Sequence, residues 1–337
     1  MQTVLITGGS GFIGANFIPY FLGNNPETNI VNLDLLTYAG DNNNLKEIEQ
    51  HKNYTFVKGD ICDRNLVETL FEKYNFIGVI HFAAESHVDN SIKKPDAFIK
   101  TNIYGTFNLL DVAKNCWLDS RNIVKEEFKN ARFHHISTDE VYGTLGETGL
   151  FTEQTPYAPN SPYSASKASS DFLVRSYFHT YRLNVVTTNC SNNYGPKQHD
   201  EKLIPTIIRK AILGEKIPMY GDGKNIRDWL FALDHCKGIE LVYQNGKTGE
   251  TYNIGGNNER NNLYIANKIC EILDEVHPKK ESYKEQISFV KDRLGHDFRY
   301  AVDASKIENE LSWKAKENFE SGILKTVNWY LNKYKNL

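Results

Sequence analysis

Thr3-Val4-Leu5-Ile6 runs straight into Thr7-Gly8-Gly9-Ser10-Gly11-Phe12-Ile13-Gly14, and the fold turns on reading these residues together. The apolar run has the length and β-branched content of a buried strand. Gly9-Ser10-Gly11-Phe12-Ile13-Gly14 follows it and opens a segment of helical character; the same glycines also scan as Gly8-x-x-Gly11-x-x-Gly14. In such a loop glycines permit a tight turn, a close approach to a pyrophosphate and packing of helix on strand, and the free N–H groups at the helix start face the anion. A glycine pattern alone is weak. Here an acidic residue, Asp34, stands twenty residues past Gly14, at the end of a second strand-like run from Asn29. A carboxylate there accepts hydrogen bonds from ribose hydroxyls and repels a 2′-phosphate, which points to NAD over NADP.

Further strand-like runs follow at Tyr54–Val57, Gly78–Phe82, Phe133–Ser137 and Val185–Thr188, with helical stretches such as Ile103–Cys116 and Ser164–Tyr181 between them. Strand, helix and strand in series mean parallel crossovers. The fold class is therefore α/β, a doubly wound parallel (Rossmann) sheet. After Asn189 the loops lengthen and become rich in Gly, Asn and Pro, which predicts a smaller α+β unit, and Thr251–Ile254 can return as one more sheet strand. The boundaries that follow are residues 1–190 for a cofactor-binding domain, with 230–256 returning to it, and 191–229 with 257–337 for a substrate domain. Pro19 lies inside the helix that Gly14 opens, where it removes one backbone hydrogen bond and predicts a kink or an early end.

The 337 residues carry 39 Lys+Arg and 42 Asp+Glu, a formal charge of −3, with 24% charged and 40% hydrophobic residues. These values exclude a disordered or collagen-like chain. The absence of a basic block gives no footprint for nucleic acid. The first 26 residues are uncharged, yet they have no basic leading segment and are broken by glycines and Pro19, so neither a signal peptide nor a membrane anchor is expected. Cys62, Cys116, Cys190, Cys236 and Cys270 lie far apart, which argues against a disulfide framework or a zinc site and for a reducing compartment, the cytoplasm.

Two constellations carry chemistry. Tyr163-Ser164-Ala165-Ser166-Lys167 places Tyr and Lys at i and i+4 on one helix face. An ammonium beside the phenol favours phenolate, which makes the pair a general base for an alcohol proton. The fifth strand ends Ser137-Thr138-Asp139-Glu140, and carboxyl ends of strands face the ligand crevice in a doubly wound sheet. Adjacent carboxylates there must share or hold a proton, so a protonated Asp139 can be a general acid and an ionised Glu140 a base. Asp60, before Ile61 after the third strand, reads equally as an adenine contact or a turn residue. Ala83-Ala84 suits a close backbone passage.

The glycine loop, Tyr163-x-x-x-Lys167 and Thr138 together resemble the extended short-chain dehydrogenase/reductase superfamily. Within it the Thr138-Asp139-Glu140 triplet resembles the nucleotide-sugar 4,6-dehydratases, whereas epimerases usually lack the acid pair and decarboxylases typically show Thr-Ser-Glu. His81–Asp89, Glu201–Pro205, Arg227–Leu230 and Lys291–Asp297 extend the likeness over nearly the whole chain. The resemblance implies that Phe12, Ile13, Asp34, Leu35, Leu36, Thr37, Asp60, Ile61, Phe82, Ala83, Ala84, Glu85, Ser86, Thr101, Tyr163, Lys167 and Asn193 hold NAD. It implies that Ser86, Thr138, Asn192, Lys202, Leu203, Pro218, Met219, Tyr220, Arg227, Asn262, Asp292, Arg293, Leu294, Gly295 and His296 hold a nucleotide-diphosphate sugar. Lys202, Arg227 and Arg293 suit its pyrophosphate, and Met219 with Tyr220 a flat wall for its base. The implied reaction oxidises C4, eliminates water across C5–C6 and returns hydride to C6, with no metal. The helices Thr101–Trp117 and Ser161–Tyr181, apolar on more than one face, correspond to a homodimer interface in that family. Departures stand at Leu294, Phe298 and Lys197-Gln198-His199-Asp200, around the diphosphate and base end, so thymine, uracil and cytosine all stay open.

Overall fold

The computed structural model describes residues 2–292 and 297–335. Strands and helices alternate in the first part: β1 (Gln2–Thr7), α1 (Phe12–Asn24), β2 (Thr28–Asp34), β3 (Tyr54–Lys58), α2 (Arg64–Tyr74), β4 (Gly78–His81), α3 (Val88–Lys93), α4 (Pro95–Phe98), a π-helical turn at Ile99–Gly105, α5 (Thr106–Trp117), β5 (Arg132–Thr138), α6 (Pro162–Tyr181) and β6 (Val185–Cys190). The remainder supplies β7 (Asn192–Tyr194), α7 (Leu203–Ile212), β8 (Ile217–Tyr220), β9 (Ile226–Phe231), α8 (Ala232–Asn245), β10 (Thr251–Ile254), β11 (Glu259–Asn261), α9 (Asn262–Val276), β12 (Ile287–Val290), β13 (Arg299–Tyr300), α10 (Ser305–Leu311) and α11 (Phe319–Lys333).

The main sheet has seven strands in the order β10-β6-β5-β4-β1-β2-β3, every pair parallel. Its central strands β1, β4, β5 and β6 are buried over most of their length because both faces are covered. Val4 and Ile6 point into a core shared with Phe17 and Ile18 of α1 and Ile239 of α8. Leu5, between them, points the other way, into a core with Val67 of α2, Leu109 of α5 and Val174 of α6. The strand order reverses at β1, between β2 and β4, so the crevice opens at the carboxyl ends of these strands. The predicted return of Thr251–Ile254 is observed, paired with β6.

The smaller α+β unit has a four-stranded sheet of β7, β9, β11 and β13 and a parallel pair of β8 with β12. Helices α7, α9 and α11 close a third core around Tyr194, Trp229, Ile269, Phe319 and Tyr330.

Two local expectations meet the structure differently. Of the kink or early end expected at Pro19, the early end does not occur, for helix α1 continues to Asn24. The Ala15 carbonyl, which loses its helical donor to the proline ring, instead accepts from Lys197 Nζ at 3.1 Å. The predicted helix at Ile103–Cys116 begins as a π turn at Ile99–Gly105. There the Asn102 amide accepts from Glu85 N at 2.8 Å and donates to Glu85 O at 3.0 Å, tying the turn to the loop after β4. Such wide turns recur at functional sites because they re-aim one side chain.

Candidate active site

The glycine loop is shaped by what crosses it. Gly8 has φ +72, and a Cβ there would stand 2.5 Å from Ala83 N, so the small Ala83 and the bare Gly8 let two strand ends touch. A Cβ on Gly14 would meet Gly9 Cα at 2.5 Å, so the first turn of α1 can lie on the loop only as glycine. Asp34 closes β2: Oδ2 accepts from Ser10 N at 2.9 Å and Oδ1 from Leu36 N at 2.8 Å, while burial pushes its carboxyl up. Asp60 accepts from Cys62 N at 2.8 Å, the turn role, and also lines the crevice.

One cavity of about 320 Å³ runs along these strand ends. It is lined by Gly8, Gly11, Phe12, Ile13, Gly14, Asp34, Leu35, Thr37, Asp60, Ile61, Phe82 to Ser86 and Thr101 at one end, and by Thr138, Asp139, Glu140, Tyr163, Lys167, Asn192, Asn193 and Lys202 at the other. The residues anticipated for a dinucleotide and those anticipated for chemistry thus share one space; Leu36 alone of the former lies off the lining. Asn192, Asn193 and Gln198 belong to the lining, and among the described residues their side-chain carbonyl oxygens are buried without a partner. Buried acceptors of this kind are costly unless a ligand serves them. The glycine loop, which a Cβ at Gly8 or Gly14 would fill, and Asp34 at the end of β2 fit a dinucleotide.

The chemical end is set by the start of α6. Ser161 and Ser164 form a reciprocal capping box, with 3.0 Å bonds in both directions, and Pro162 takes the first helical turn. That fixes the helix phase, and Tyr163 and Lys167 face the end of β5. Lys167 Nζ donates to Ile136 O at 2.8 Å, and burial pulls its pKa down to about 8. The Thr138 hydroxyl accepts from Glu140 N at 3.3 Å and lies 3.4 Å from Asp139 Oδ1. Burial, then Glu140, then Asp228 push the Asp139 carboxyl well up, against a smaller pull from Arg227. A protonated Asp139 beside Glu140 is the state that this geometry favours. The expected depression of the Tyr163 phenol is corrected. Burial first and the Glu140 carboxylate second push it well up, and Thr138 offsets them only in part.

The same helix face carries a carboxylate that the sequence reading passed over. Asp171 Oδ2 accepts from Ser137 Oγ and from Tyr157 Oη, each at 2.9 Å, and Oδ1 lies 3.1 Å from His135 Nε2. The signal was present as a third step of four residues after Tyr163 and Lys167. Cys190 also lines the cavity, and its place at the end of β6 marked it for the same reason as Asp139. His235 lines it too, with no signal in the sequence to find it.

The anticipated sugar-nucleotide residues divide. Lys202 lines the cavity and donates from Nζ to Ser86 O at 3.0 Å. Arg227 is buried, stacks 4.3 Å from the Tyr300 ring centroid and donates to the carbonyls of Ile226, Asp297 and Phe298. Met219 is buried in the third core, so it offers no open wall for a base. Leu203, Pro218, Tyr220, Asn262 and Asp292 lie off the cavity lining, at the smaller unit. Arg293, Leu294, Gly295 and His296 lie outside the described residues.

Residues 5–326 match the family model described as GDP-mannose 4,6 dehydratase. A dTDP-glucose 4,6-dehydratase of Xanthomonas campestris pv. campestris is 54% identical over 333 residues, covering 98% of this chain and 93% of that protein. The crystal structure of a dTDP-glucose 4,6-dehydratase of Bacillus anthracis in complex with NAD superposes with a TM-score of 0.87 at 44% identity, covering 100% of this chain and 98% of that one. That of Streptomyces venezuelae, with NAD and a TDP ligand bound, gives 0.89 at 41%, covering 99% and 98%.

Proposed function

From a chain that belongs to the GDP-mannose 4,6 dehydratase family, we infer an NAD-dependent hydro-lyase that converts dTDP-glucose to dTDP-4-keto-6-deoxyglucose and water. The observation that carries this reading is the buried Asp139, its carboxyl pushed well up beside Glu140, in one cavity with Tyr163 and Lys167. An oxidation at C4 needs only the Tyr/Lys pair; a proton-holding acid next to a second carboxylate is what an elimination adds.

The glycine loop from Gly8 to Gly14, Asp34, Asp60, Phe82 to Ser86, Thr101 and Asn193 hold NAD. When bound, it supplies a hydride acceptor that later gives the hydride back, and a positively charged ring. Tyr163 Oη acts as a phenolate, whose charge the Lys167 ammonium and the Thr138 hydroxyl stabilise, and it takes the 4-hydroxyl proton to become the neutral phenol. The C4 ketone acidifies the C5 hydrogen, and the Glu140 carboxylate removes it. Asp139 gives its proton to the departing 6-hydroxyl, which leaves as water. Thr138 also orients the 4-oxygen.

Residues 1–190 with 230–256 form the cofactor half, and 191–229 with 257–337 the nucleotide-sugar half. Lys202, Arg227 and the segment from Asp292 to His296 serve the substrate's diphosphate and base end. Ile99, Tyr104, Phe107 and Phe172, apolar and exposed on the π turn, α5 and α6, support a homodimer through these helices. The five cysteines are free thiols, which suits the cytoplasm. Among the described residues no helix is long and apolar enough to cross a membrane.

The test is mass spectrometry of the product from dTDP-, UDP- and CDP-glucose. Loss of one water, fastest from dTDP-glucose, is expected. Loss of water only from UDP- or CDP-glucose overturns the base, and an unchanged mass with an inverted hydroxyl overturns the dehydration.

A further inference from the structure

We propose that Asp171 is a positioning residue of this reaction: one helical turn beyond Lys167 on the same buried face of α6, its carboxylate keeps the Lys167 ammonium charged at the place where Tyr163 works. The inference rests on the function proposed above and deepens it.

Tyr163, Lys167 and Asp171 follow at steps of four residues, so their side chains form one ridge, and that ridge lies against the end of β5. Burial alone strips the ammonium of water and favours the neutral amine. Lys167 Nζ donates to the Ile136 carbonyl, a dipole and not a countercharge. Against burial, the Asp171 carboxylate favours the ammonium most, and Cys190 less. The Cys190 thiol is pushed up to about 12 and is neutral at working pH, so the negative charge comes from Asp171.

The groups packed around the pair leave that role to the carboxylate. His135 on β5 stands 3.1 Å from Asp171 Oδ1, and His81 on β4 has its ring 5.3 Å from that of His135; burial holds both imidazoles neutral. Tyr157, from the loop before α6, and Tyr142, after β5, are buried phenols held protonated, and burial pushes the Tyr163 phenol up as well. Asp171 has its pKa raised to about 6 by burial, and it is offset by Lys167, Ser137 and Tyr157, so it is ionised above that pH. In a buried site a charge one turn away acts with little screening.

Asp171→Asn keeps the acceptor for Ser137 and Tyr157 and removes only the charge. Two readouts are needed. The first is the titration of Lys167 followed by NMR of lysine labelled with carbon-13 at Cε, its resonance assigned by loss in Lys167→Met. The second is the pH profile of the oxidation step, followed by stopped-flow reduced-nicotinamide absorbance. The Lys167 midpoint is expected to fall by about one pH unit or more, which is about ten-fold in its proton affinity. The phenol limb of the oxidation is expected to move to higher pH, with KM unchanged. A Lys167 midpoint that stays in place, or a loss of oxidation that is uniform across pH, overturns the proposal. Should Asp171→Asn fail to fold, the same coupling is read from its other partner: Lys167→Met removes the ammonium, and the midpoint of Asp171, followed by NMR of aspartate labelled with carbon-13 at Cγ, is then expected to rise. An Asp171 midpoint that stays in place overturns the proposal equally. If wild-type protein does not dehydrate dTDP-glucose, the functional reading fails while the Lys167 titration still reports on Asp171.

Discussion

Asp139 concentrates the chemistry at the scale of a residue. It is buried, one carboxyl oxygen has no partner among the described residues, and Glu140 beside it raises the cost of a second negative charge. Its protonated form persists upward from the ordinary carboxylate range and is lost as pH rises through the elevated value, so the elimination weakens on the alkaline side. Asp139→Asn is expected to slow the elimination by about a hundred-fold or more while sparing C4 oxidation, leaving a transient reduced-nicotinamide absorbance in stopped flow. Equal loss of both steps would contradict the assignment. Tyr163→Phe should lower oxidation itself by about a hundred- to ten-thousand-fold. The phenol shows why motif spacing is not enough. Lys167 four residues on was legible, but burial and the Glu140 carboxylate, from the turn after β5, push the phenol the other way, and both depend on other elements.

Helix α1 shows what one element owes to a distant one. Pro19 takes a donor away from the Ala15 carbonyl, and Lys197, from the loop after β7, supplies another while also reaching Glu47 at 2.8 Å. Lys197→Met is expected to cost about 1–3 kcal/mol in thermal unfolding, because it leaves a half-buried carbonyl unserved. In a Pro19→Ala background the backbone N–H returns, and the same substitution should cost measurably less; equal costs in the two backgrounds would show that the contact is idle. The strands, the glycine loop and the start of α6 were readable because their causes are local: apolar runs of fixed length, a run of glycines, a serine with proline after it. The Lys197 contact, the π turn at Ile99–Gly105 and the enclosure of Met219 were not, since each is decided by residues far along the chain. The nucleotide end suffered most from this, for Arg227 gives its donors to carbonyls seventy and seventy-one positions away as well as to its own neighbour.

At the scale of the whole molecule the cavity draws its walls from both halves, from Gly8 and Asp34 on one side to Asn193 and Lys202 on the other. A ligand that fills it should therefore stabilise the entire chain. NAD at one hundred times its dissociation constant is expected to add about 2.7 kcal/mol, read as a rise in unfolding temperature. NADP should add far less, since Asp34 meets the 2′-phosphate with a carboxylate; an equal rise from both would remove Asp34 from the ribose. The last strand of the main sheet, β10, is added from residues 251–254, long after β6 at its side has been made. A nascent chain leaving the ribosome consequently carries the open rim of β6 through the synthesis of some sixty further residues, and that rim can recruit another strand until its own arrives. Truncated transcripts that stop near residue 190 should thus yield inclusion bodies instead of a free-standing half.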